Sequence, residues 1–121
     1  QNVRIDMPYL KLRTNQSCNK EQTAELLTEF SQLLAKETGK PERYVMVELE
    51  GERDMIFSGN NGPLAYVECK SIGLSRDQAK SLSASISQIL ETRLQITADR
   101  IYIEFSNCPA DYWGWNGSTF G

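Results

Sequence analysis

The sequence predicts an α+β fold, an α/β two-layer sandwich in which two helices lie on one face of a four-stranded mixed sheet. Two observations predict it: a helical pattern of apolar residues occurs twice, and strand-like segments flank each helical pattern. The 121 residues are enough for one domain with one hydrophobic core. The chain is therefore expected to be a duplicated β-α-β unit with an internal pseudo-twofold axis.

The two helices are predicted by apolar residues at the spacings i, i+3, i+4, i+7 and i+8. A shift that places Leu26 on Leu82 also places Phe30 on Ile86, so the two segments look like copies. The apolar positions are Leu26, Leu27, Phe30, Leu33 and Leu34 in the first half and Leu82, Ile86, Ile89, Leu90 and Leu94 in the second.

The ends of both helices carry capping signals. Asn19 or Ser17 is expected to cap the first helix, and Gly39 followed by Pro41 is expected to end it. Ser75, with a glutamine three residues later, predicts a capping box at the start of the second helix.

Four strands are predicted, over residues 9–13, 44–49, 64–69 and 101–105, from alternating or continuous apolar residues. A strand, a crossover helix and the next strand are expected to form a right-handed parallel pair. Residues 44–47 are apolar at both alternating positions, which is typical of strands buried on both faces. Since the helices cover only one face of the sheet, this pattern predicts that other subunits cover the second face.

Charge and composition exclude several classes of partner. The net charge of −3 gives no basic patch for nucleic acid or for an anionic membrane surface. No apolar run approaches the ~20 residues of a membrane span, and no signal-peptide core is present near the start. The expected location is therefore the cytoplasm, with export by a route that needs no signal peptide left open. The three cysteines are far apart in the sequence and are expected to be free thiols.

The chain contains no histidine, and this absence limits the chemistry available to it. Ser-His-Asp and Cys-His nucleophilic catalysis are excluded, as is the commonest transition-metal ligand. An enzyme of this composition that moves protons near neutral pH needs another base. A buried carboxylate, a buried lysine or an α-amino group would serve.

Short motifs spread over residues 8–121 identify a known family. They are Met7-Pro8-Tyr9-Leu10, Thr38-Gly39-Lys40-Pro41, Ser71-Ile72-Gly73, Asp99-Arg100-Ile101-Tyr102-Ile103 and Gly114-Trp115-Asn116-Gly117-Ser118-Thr119-Phe120. Each motif is weak alone, but their order and spacing together resemble the macrophage migration inhibitory factor (MIF) family of the tautomerase superfamily.

The resemblance implies a homotrimer with an active site at each subunit boundary. It also implies keto-enol tautomerase activity, of the phenylpyruvate or dopachrome type, toward small aromatic 2-oxo acids, with no metal or organic cofactor. By resemblance, Pro8 is the catalytic amino-terminal proline and Lys40 the lysine that holds the substrate carboxylate. Ile72 corresponds to the residue whose backbone N–H helps to bind that carboxylate, and Tyr102 to the tyrosine contributed by the neighbouring subunit.

Three further residues are implied, with less precision, as lining an aromatic pocket. They are Tyr44, Trp113 and Phe120. The same comparison places Glu104 near the pocket where the family usually has asparagine. A carboxylate there would repel an acidic substrate unless it is protonated or paired, and Lys70 is a candidate to offset its charge. The thiols of the animal cytokine's Cys-X-X-Cys segment have no counterpart in residues 64–67, which excludes a thiol oxidoreductase role.

The seven residues before Pro8 depart from the family pattern. Residues 1–7 are expected to be an extension, derived from a vector or lying upstream of a true start at Met7, with the MIF-like domain at 8–121. An internal proline nitrogen is a tertiary amide, so the chain as given is expected to be inactive in Pro8-dependent catalysis. The alternative function is a non-enzymatic, cytokine-like signalling ligand or mimic that retains the trimeric scaffold and binds a cell-surface receptor if it is exported.

Overall fold

A computed structural model describes residues 7–121, so residues 1–6 of the predicted extension lie outside the described residues. The structure has two long helices, a four-stranded sheet and a small hairpin. Three 3₁₀ turns, Glu42–Tyr44, Ala98–Arg100 and Ala110–Tyr112, connect them. In chain order the elements are β1 (Tyr9–Thr14), α1 (Lys20–Thr38), β2 (Met46–Glu50), β3 (Ala65–Ile72), α2 (Arg76–Leu94), β4 (Ile101–Cys108), β5 (Gly114–Trp115) and β6 (Ser118–Thr119).

The helices begin at the residues that the capping signals favour. The Asn19 side chain accepts a hydrogen bond from the Gln22 N–H, and the Gln22 side chain accepts one from the Asn19 N–H. Ser75 and Gln78 form the same reciprocal capping box on α2. Asn19, rather than Ser17, is therefore the cap of α1, and both capping boxes satisfy N–H groups that have no partner within the helix.

The sheet confirms the predicted two-layer architecture. Its strand order is β2-β1-β3-β4, with β1 parallel to β2, β3 parallel to β4, and β1 antiparallel to β3. Each parallel pair is joined by one helix, as expected for a duplicated β-α-β unit. The antiparallel pair at the centre relates the two units, so the sheet is mixed.

The core lies between the sheet and the two helices. Leu10 and Leu12 of β1 are fully buried, and they alternate with Tyr9, Lys11 and Arg13 on the other face. The helices close the core with the residues of their apolar stripes. These are Leu26, Phe30 and Leu34 of α1 and Leu82, Ile86, Leu90 and Leu94 of α2.

Tyr44 and Val45 lie outside β2, although the sequence predicted a strand from residue 44. Pro41 leads into a 3₁₀ turn in which the Tyr44 N–H donates to the Pro41 carbonyl and the Val45 N–H donates to the Glu42 carbonyl. Proline at the start of a turn fixes the φ angle there, and the turn occupies residues that would otherwise belong to the strand. β2 therefore begins only at Met46.

The sheet face opposite the helices is mostly polar, and the later start of β2 explains the apolar run at residues 44–47. With the strand starting at Met46, the alternation is regular: Val47 and Leu49 are partly buried against the core, while Met46 and Glu48 are exposed. On this open face Lys11 lies between Glu48 of β2 and Glu68 of β3. The covering of this face by other subunits stays a prediction.

Two features are absent from the part of the chain that the structure describes. Over residues 7–121, no helix is long and apolar enough to cross a bilayer. Within the same residues, no group of three His, Cys, Asp or Glu side chains is arranged to hold a metal ion.

Candidate active site

One end of the sheet collects most of the predicted site residues. β1 and β2 begin at this end and β3 and β4 finish there, because of their parallel and antiparallel pairing. Pro8 immediately precedes β1 and is fully buried, and its carbonyl accepts a 3.1 Å hydrogen bond from the Met46 N–H. The connection from α1 to β2, which carries Lys40 and Tyr44, therefore arrives beside Pro8.

Lys40 is placed by the end of α1. Gly39 adopts the left-handed conformation at φ 70°, which glycine accepts without the steric cost that a side chain brings. The next N–H, of Lys40, donates to the Ala35 carbonyl at 3.2 Å. Lys40 itself is half-buried. A cation next to the carbonyl end of a helix is favoured by the helix dipole, and this position also brings it to the Pro8 end of the sheet.

Ile72 closes β3 at the same end. It is 2% exposed and lies opposite Cys108 of β4. Two residues earlier, Lys70 is paired with Tyr9, so the last residues of β3 run past the start of β1. Gly73 then turns the chain toward α2, and its N–H donates to the Asn107 side chain at 2.9 Å. The backbone at Ile72 is therefore held by its strand partner on one side and by this turn on the other.

An aromatic cluster is formed by the C-terminal hairpin and the turn before β2. The Tyr44 and Trp115 rings meet edge to face with centroids 5.3 Å apart, and Trp115 stacks on Phe120 at 5.9 Å. The Arg43 guanidinium lies 4.8 Å from the centre of the Tyr44 ring. Each of the two aromatic ring pairs contributes about 0.5–1.5 kcal/mol beyond the area that it buries.

The hairpin itself is closed by an Asn-Gly turn. Asn116 and Gly117 both have positive φ, at 54° and 79°, as the tightest hairpin turns require. The Phe120 N–H donates to the Trp113 carbonyl at 3.1 Å, which sets Trp113 at the base of the hairpin. Trp115 was not among the predicted site residues, yet it is the residue that joins Tyr44 to Phe120.

Tyr102 lies away from Pro8 within one chain. It pairs with Tyr66, which in turn pairs with Arg13, four residues along β1 from Tyr9. At roughly 3.3 Å per residue, that offset is about 13 Å along the strands, and two inter-strand spacings add to it. Tyr102 is also 66% exposed. A single chain therefore brings Pro8, Lys40, Tyr44 and Ile72 to one end but leaves Tyr102 at the other.

Glu104 occupies the open face of β4 and accepts a 2.6 Å hydrogen bond from the Tyr66 hydroxyl. This bond, with burial and the charge of the same carboxylate, raises the pKa of Tyr66 to about 12. Lys70, which the sequence suggested as the partner of Glu104, instead lies 4.0 Å from Glu68. The side chain of Glu104 is thus hydrogen-bonded to the Tyr66 phenol.

The comparisons with known proteins place the chain in a family. The family model described as macrophage migration inhibitory factor (MIF) matches residues 7–121. The macrophage migration inhibitory factor of Meriones unguiculatus is 42% identical over 96 residues, covering 78% of this chain and 84% of that protein. The homolog from Brugia malayi is 37% identical over 116 residues, covering 95% of this chain and all of that protein.

A solved structure agrees with the sequence relatives. The macrophage migration inhibitory factor homologue from Prochlorococcus marinus superposes with a TM-score of 0.88 at 44% sequence identity. The superposition covers 93% of this chain and 99% of that one. The family match spans both β-α-β units and the hairpin, and it confirms the resemblance seen in the short motifs. The chain is a member of the macrophage migration inhibitory factor family, whose proteins have the tautomerase fold.

Proposed function

We propose that this protein is a keto-enol tautomerase that acts on small aromatic 2-oxo acids such as phenylpyruvate. The observation that carries the proposal is that Pro8, Lys40 and Ile72 lie at one end of the sheet, where the aromatic cluster of Tyr44 and Phe120 is also attached. This end offers a base, a cation for a carboxylate and apolar rings for an aromatic group.

The base is the amine of a chain that begins at Pro8. An α-amino group titrates at about 7.7–8.0 in peptides, and burial disfavours its charged form. Pro8 is fully buried, so a free amine there would be largely neutral and able to take a proton from the carbon next to the keto group. The same group then gives that proton to the enolate oxygen, which yields the enol, and no histidine is required.

Lys40 orients the substrate in this mechanism. Its ammonium would pair with the 2-oxo acid carboxylate, and the backbone N–H of Ile72 would add a hydrogen bond to the same group. Holding the carboxylate fixes the reacting carbon against the proline amine, and the nearby positive charge stabilises the developing enolate. In a chain where Met7 precedes Pro8 the nitrogen is an amide and cannot act as the base, so the mechanism requires cleavage between these two residues.

We further propose a homotrimer in which each site is completed by the Tyr102 of a neighbouring subunit. Support comes from the offset of Tyr102 from Pro8 along the strands. Both outer strands, β2 and β4, have one unpaired edge within residues 7–121. Large apolar side chains are exposed on β2 and on the loop near Tyr102, with Met46 at 64% and Ile56 at 73%.

The experiment is a phenylpyruvate tautomerisation assay, followed by ultraviolet absorbance, on three purified chains. One begins at Pro8, with intact mass confirming that Met7 is absent; the second retains Met7; the third begins at Pro8 and carries Lys40→Ala. We expect activity only with a free Pro8, and a KM raised about 10- to 100-fold in the lysine variant, the loss typical of a charged hydrogen bond to a carboxylate. Lys36→Ala, which removes an exposed cation from the last turn of α1, is the matched control and should leave KM unchanged.

A chain that begins at Pro8, assembles normally and gives no rate above buffer on phenylpyruvate or dopachrome would overturn the enzymatic proposal. The non-enzymatic alternative, a signalling ligand that keeps the scaffold, would then be favoured. The relative from Meriones unguiculatus is named macrophage migration inhibitory factor, and the one from Brugia malayi is named a homolog of that factor. Specific, saturable binding of the inactive protein to a cell-surface receptor would support that alternative.

A further inference from the structure

We infer that Arg100 and Phe57 are positioning residues that fix the ring of Tyr102 for the site of a neighbouring subunit. The inference rests on the proposed function, because Tyr102 acts in that site only if the enzyme is assembled as proposed. It is carried by a continuous set of contacts from Arg100, through the loop of residues 57–63, to the Tyr102 ring. We call this segment the 57–63 loop.

Arg100 holds the 57–63 loop by its backbone. Its guanidinium donates to the carbonyls of Pro63 at 2.9 Å, Phe57 at 3.1 Å, Asn60 at 3.1 Å and Gly62 at 3.2 Å. The same group lies 5.5 Å from the centre of the Phe57 ring. Only a planar fork with several N–H groups can reach this set of acceptors at once.

The tip of the loop is a tight two-residue turn. The Phe57 N–H donates to the Asn60 carbonyl at 2.9 Å, and the Asn60 N–H donates back at 3.2 Å. Between them Ser58 and Gly59 both have positive φ. The base of the loop is held separately, since Asn15 donates to the carbonyls of residues 61 and 62. Arg100 is therefore the group that ties the tip, with Phe57, to the start of β4.

Phe57 packs against the Tyr102 ring and so restricts its position. The two rings are 4.6 Å apart at a tilt of 39°. Tyr102 is 66% exposed, and an exposed side chain on the open face of a sheet ordinarily samples several rotamers. A ring packed on one side by Phe57 loses that freedom before any substrate or subunit arrives. A Tyr102 side chain that is already ordered in its own subunit lowers the entropic cost of binding substrate in the neighbouring site.

The test uses chains that begin at Pro8 and measures KM and kcat for phenylpyruvate together with the assembled mass. We expect Phe57→Leu to raise KM by about 2- to 10-fold, the range that an aromatic pair contributes, with a smaller change in kcat. Phe57→Tyr keeps the ring and should match the parent. Arg100→Lys keeps the charge without the fork and should also raise KM. Arg93→Lys alters a guanidinium that bridges to Glu25 and Glu29 of α1, and it should change neither constant.

A double-variant cycle separates positioning from a general loss of structure. Once Tyr102→Leu has removed the positioned ring, adding Phe57→Leu should cost nothing further, so the two effects should be non-additive. Additive effects, or a normal KM in Phe57→Leu while Tyr102→Leu is impaired, would overturn the inference. A normal KM in Tyr102→Leu would also overturn it, because Tyr102 would then have no role in the site.

A readout that needs no turnover keeps the inference distinct from the proposed function. With 3-fluorotyrosine incorporated, the Tyr102 signal in ¹⁹F NMR is assigned by its loss in Tyr102→Phe. We expect Phe57→Leu and Arg100→Lys to move this signal and Arg93→Lys to leave it in place. If the parent chain is inactive but the signal responds in this way, the proposed function fails and the positioning contact stands. An unmoved signal overturns the positioning contact itself.

Discussion

Two tyrosine–glutamate pairs occupy equivalent places in the duplicated unit. The Tyr9 hydroxyl donates to Glu48 at 2.7 Å, and the Tyr66 hydroxyl donates to Glu104 at 2.6 Å. In each pair the glutamate lies two residues after the residue that faces the tyrosine on the parallel strand. Tyr9 faces Met46 and bonds Glu48, and Tyr66 faces Tyr102 and bonds Glu104. The internal pseudo-twofold therefore extends from the helices to side chains on the open face of the sheet.

The Tyr66 pair gives a prediction for alkaline pH. Its hydrogen bond to Glu104 is the largest cause that raises the pKa of Tyr66 from the usual 10.0 to about 12. Glu104→Gln should therefore lower the pKa of Tyr66 back toward 10.0. A spectrophotometric titration of phenolate absorbance near 295 nm should show one more tyrosine ionising between pH 10 and 12 than in the parent.

The sign of the accompanying stability change follows from linkage. A raised pKa means that the folded chain holds this proton more tightly than the unfolded chain. The stabilisation is therefore complete below about pH 10, and it is lost as the pH rises through the folded pKa of about 12. Glu91→Gln, which removes an exposed carboxylate from α2, is the control and should leave the titration curve of the tyrosines unchanged. An unaltered titration curve in Glu104→Gln would contradict the prediction.

At the scale of single residues, sequence motifs predicted which residues lie at one end of the sheet but not the residues that pack against them. Pro8, Lys40, Tyr44 and Ile72 sit at one end of the sheet because their motifs are tied to the starts and ends of predicted elements. Trp115 was missed because its contacts depend on how a two-residue turn folds the hairpin back. An alternation of Trp113 and Trp115 around a glycine was the available signal, and it does not reveal which ring reaches Tyr44.

Phe57, Arg100 and Tyr66 were missed for a related reason. Arg100 donates to carbonyls of a loop about 40 residues earlier in the chain, and no local sequence pattern predicts such a contact. Tyr66 had only a partial signal, because the shift that places Leu26 on Leu82 places Glu48 on Glu104 but places Tyr9 on Ala65, one residue before Tyr66. The sequence predicted a charge at Glu104 and offered Lys70 as a candidate to offset it, but without a strand register it could not predict their distance.

Among the secondary-structure elements, the helices were the most predictable. Their apolar stripes and capping boxes are local features, and both α1 and α2 begin one residue after the expected cap. Strand limits were less predictable, because β3 and β4 each extend three residues beyond the predicted end. Most of those residues are polar, such as Ser71 and Asn107, which pair with each other across the two strands and belong to no apolar pattern.

The capping box of α2 gives a prediction about stability. Ser75→Ala removes the acceptor of the Gln78 N–H and should lower the free energy of unfolding by about 1 kcal/mol. Ser81→Ala is the matched control, because Ser81 is an exposed residue inside the same helix. It should be neutral or slightly stabilising, since alanine is the better helix former. Urea unfolding at one fixed protein concentration measures both, and equal effects of the two substitutions would contradict the capping role.

At the scale of the whole molecule, the arrangement of the strands separates the two halves of the proposed site. The residues before β1 and after α1 meet at one end of the sheet, whereas Tyr102 enters the sheet at the start of β4, at the other end. Parallel pairing within each unit and antiparallel pairing between units make this separation unavoidable. A site that uses both Lys40 and Tyr102 must therefore take them from two different chains. In a cyclic assembly of identical subunits, each boundary can bring Lys40 of one chain to Tyr102 of the next.

Subunit mixing tests that conclusion directly. Chains that begin at Pro8 and carry either Lys40→Ala or Tyr102→Ala should each be impaired as pure trimers. When the two are denatured together and refolded in equal amounts, about three quarters of cyclic trimers are mixed, and each mixed trimer has one boundary where intact Lys40 meets intact Tyr102. About a quarter of all sites should therefore recover parent activity. A chain carrying both substitutions, refolded with either single variant, rebuilds no such boundary and should stay impaired. If refolding gives mixed trimers by mass but no recovery, the two residues act within one chain or Tyr102 has no part in the site.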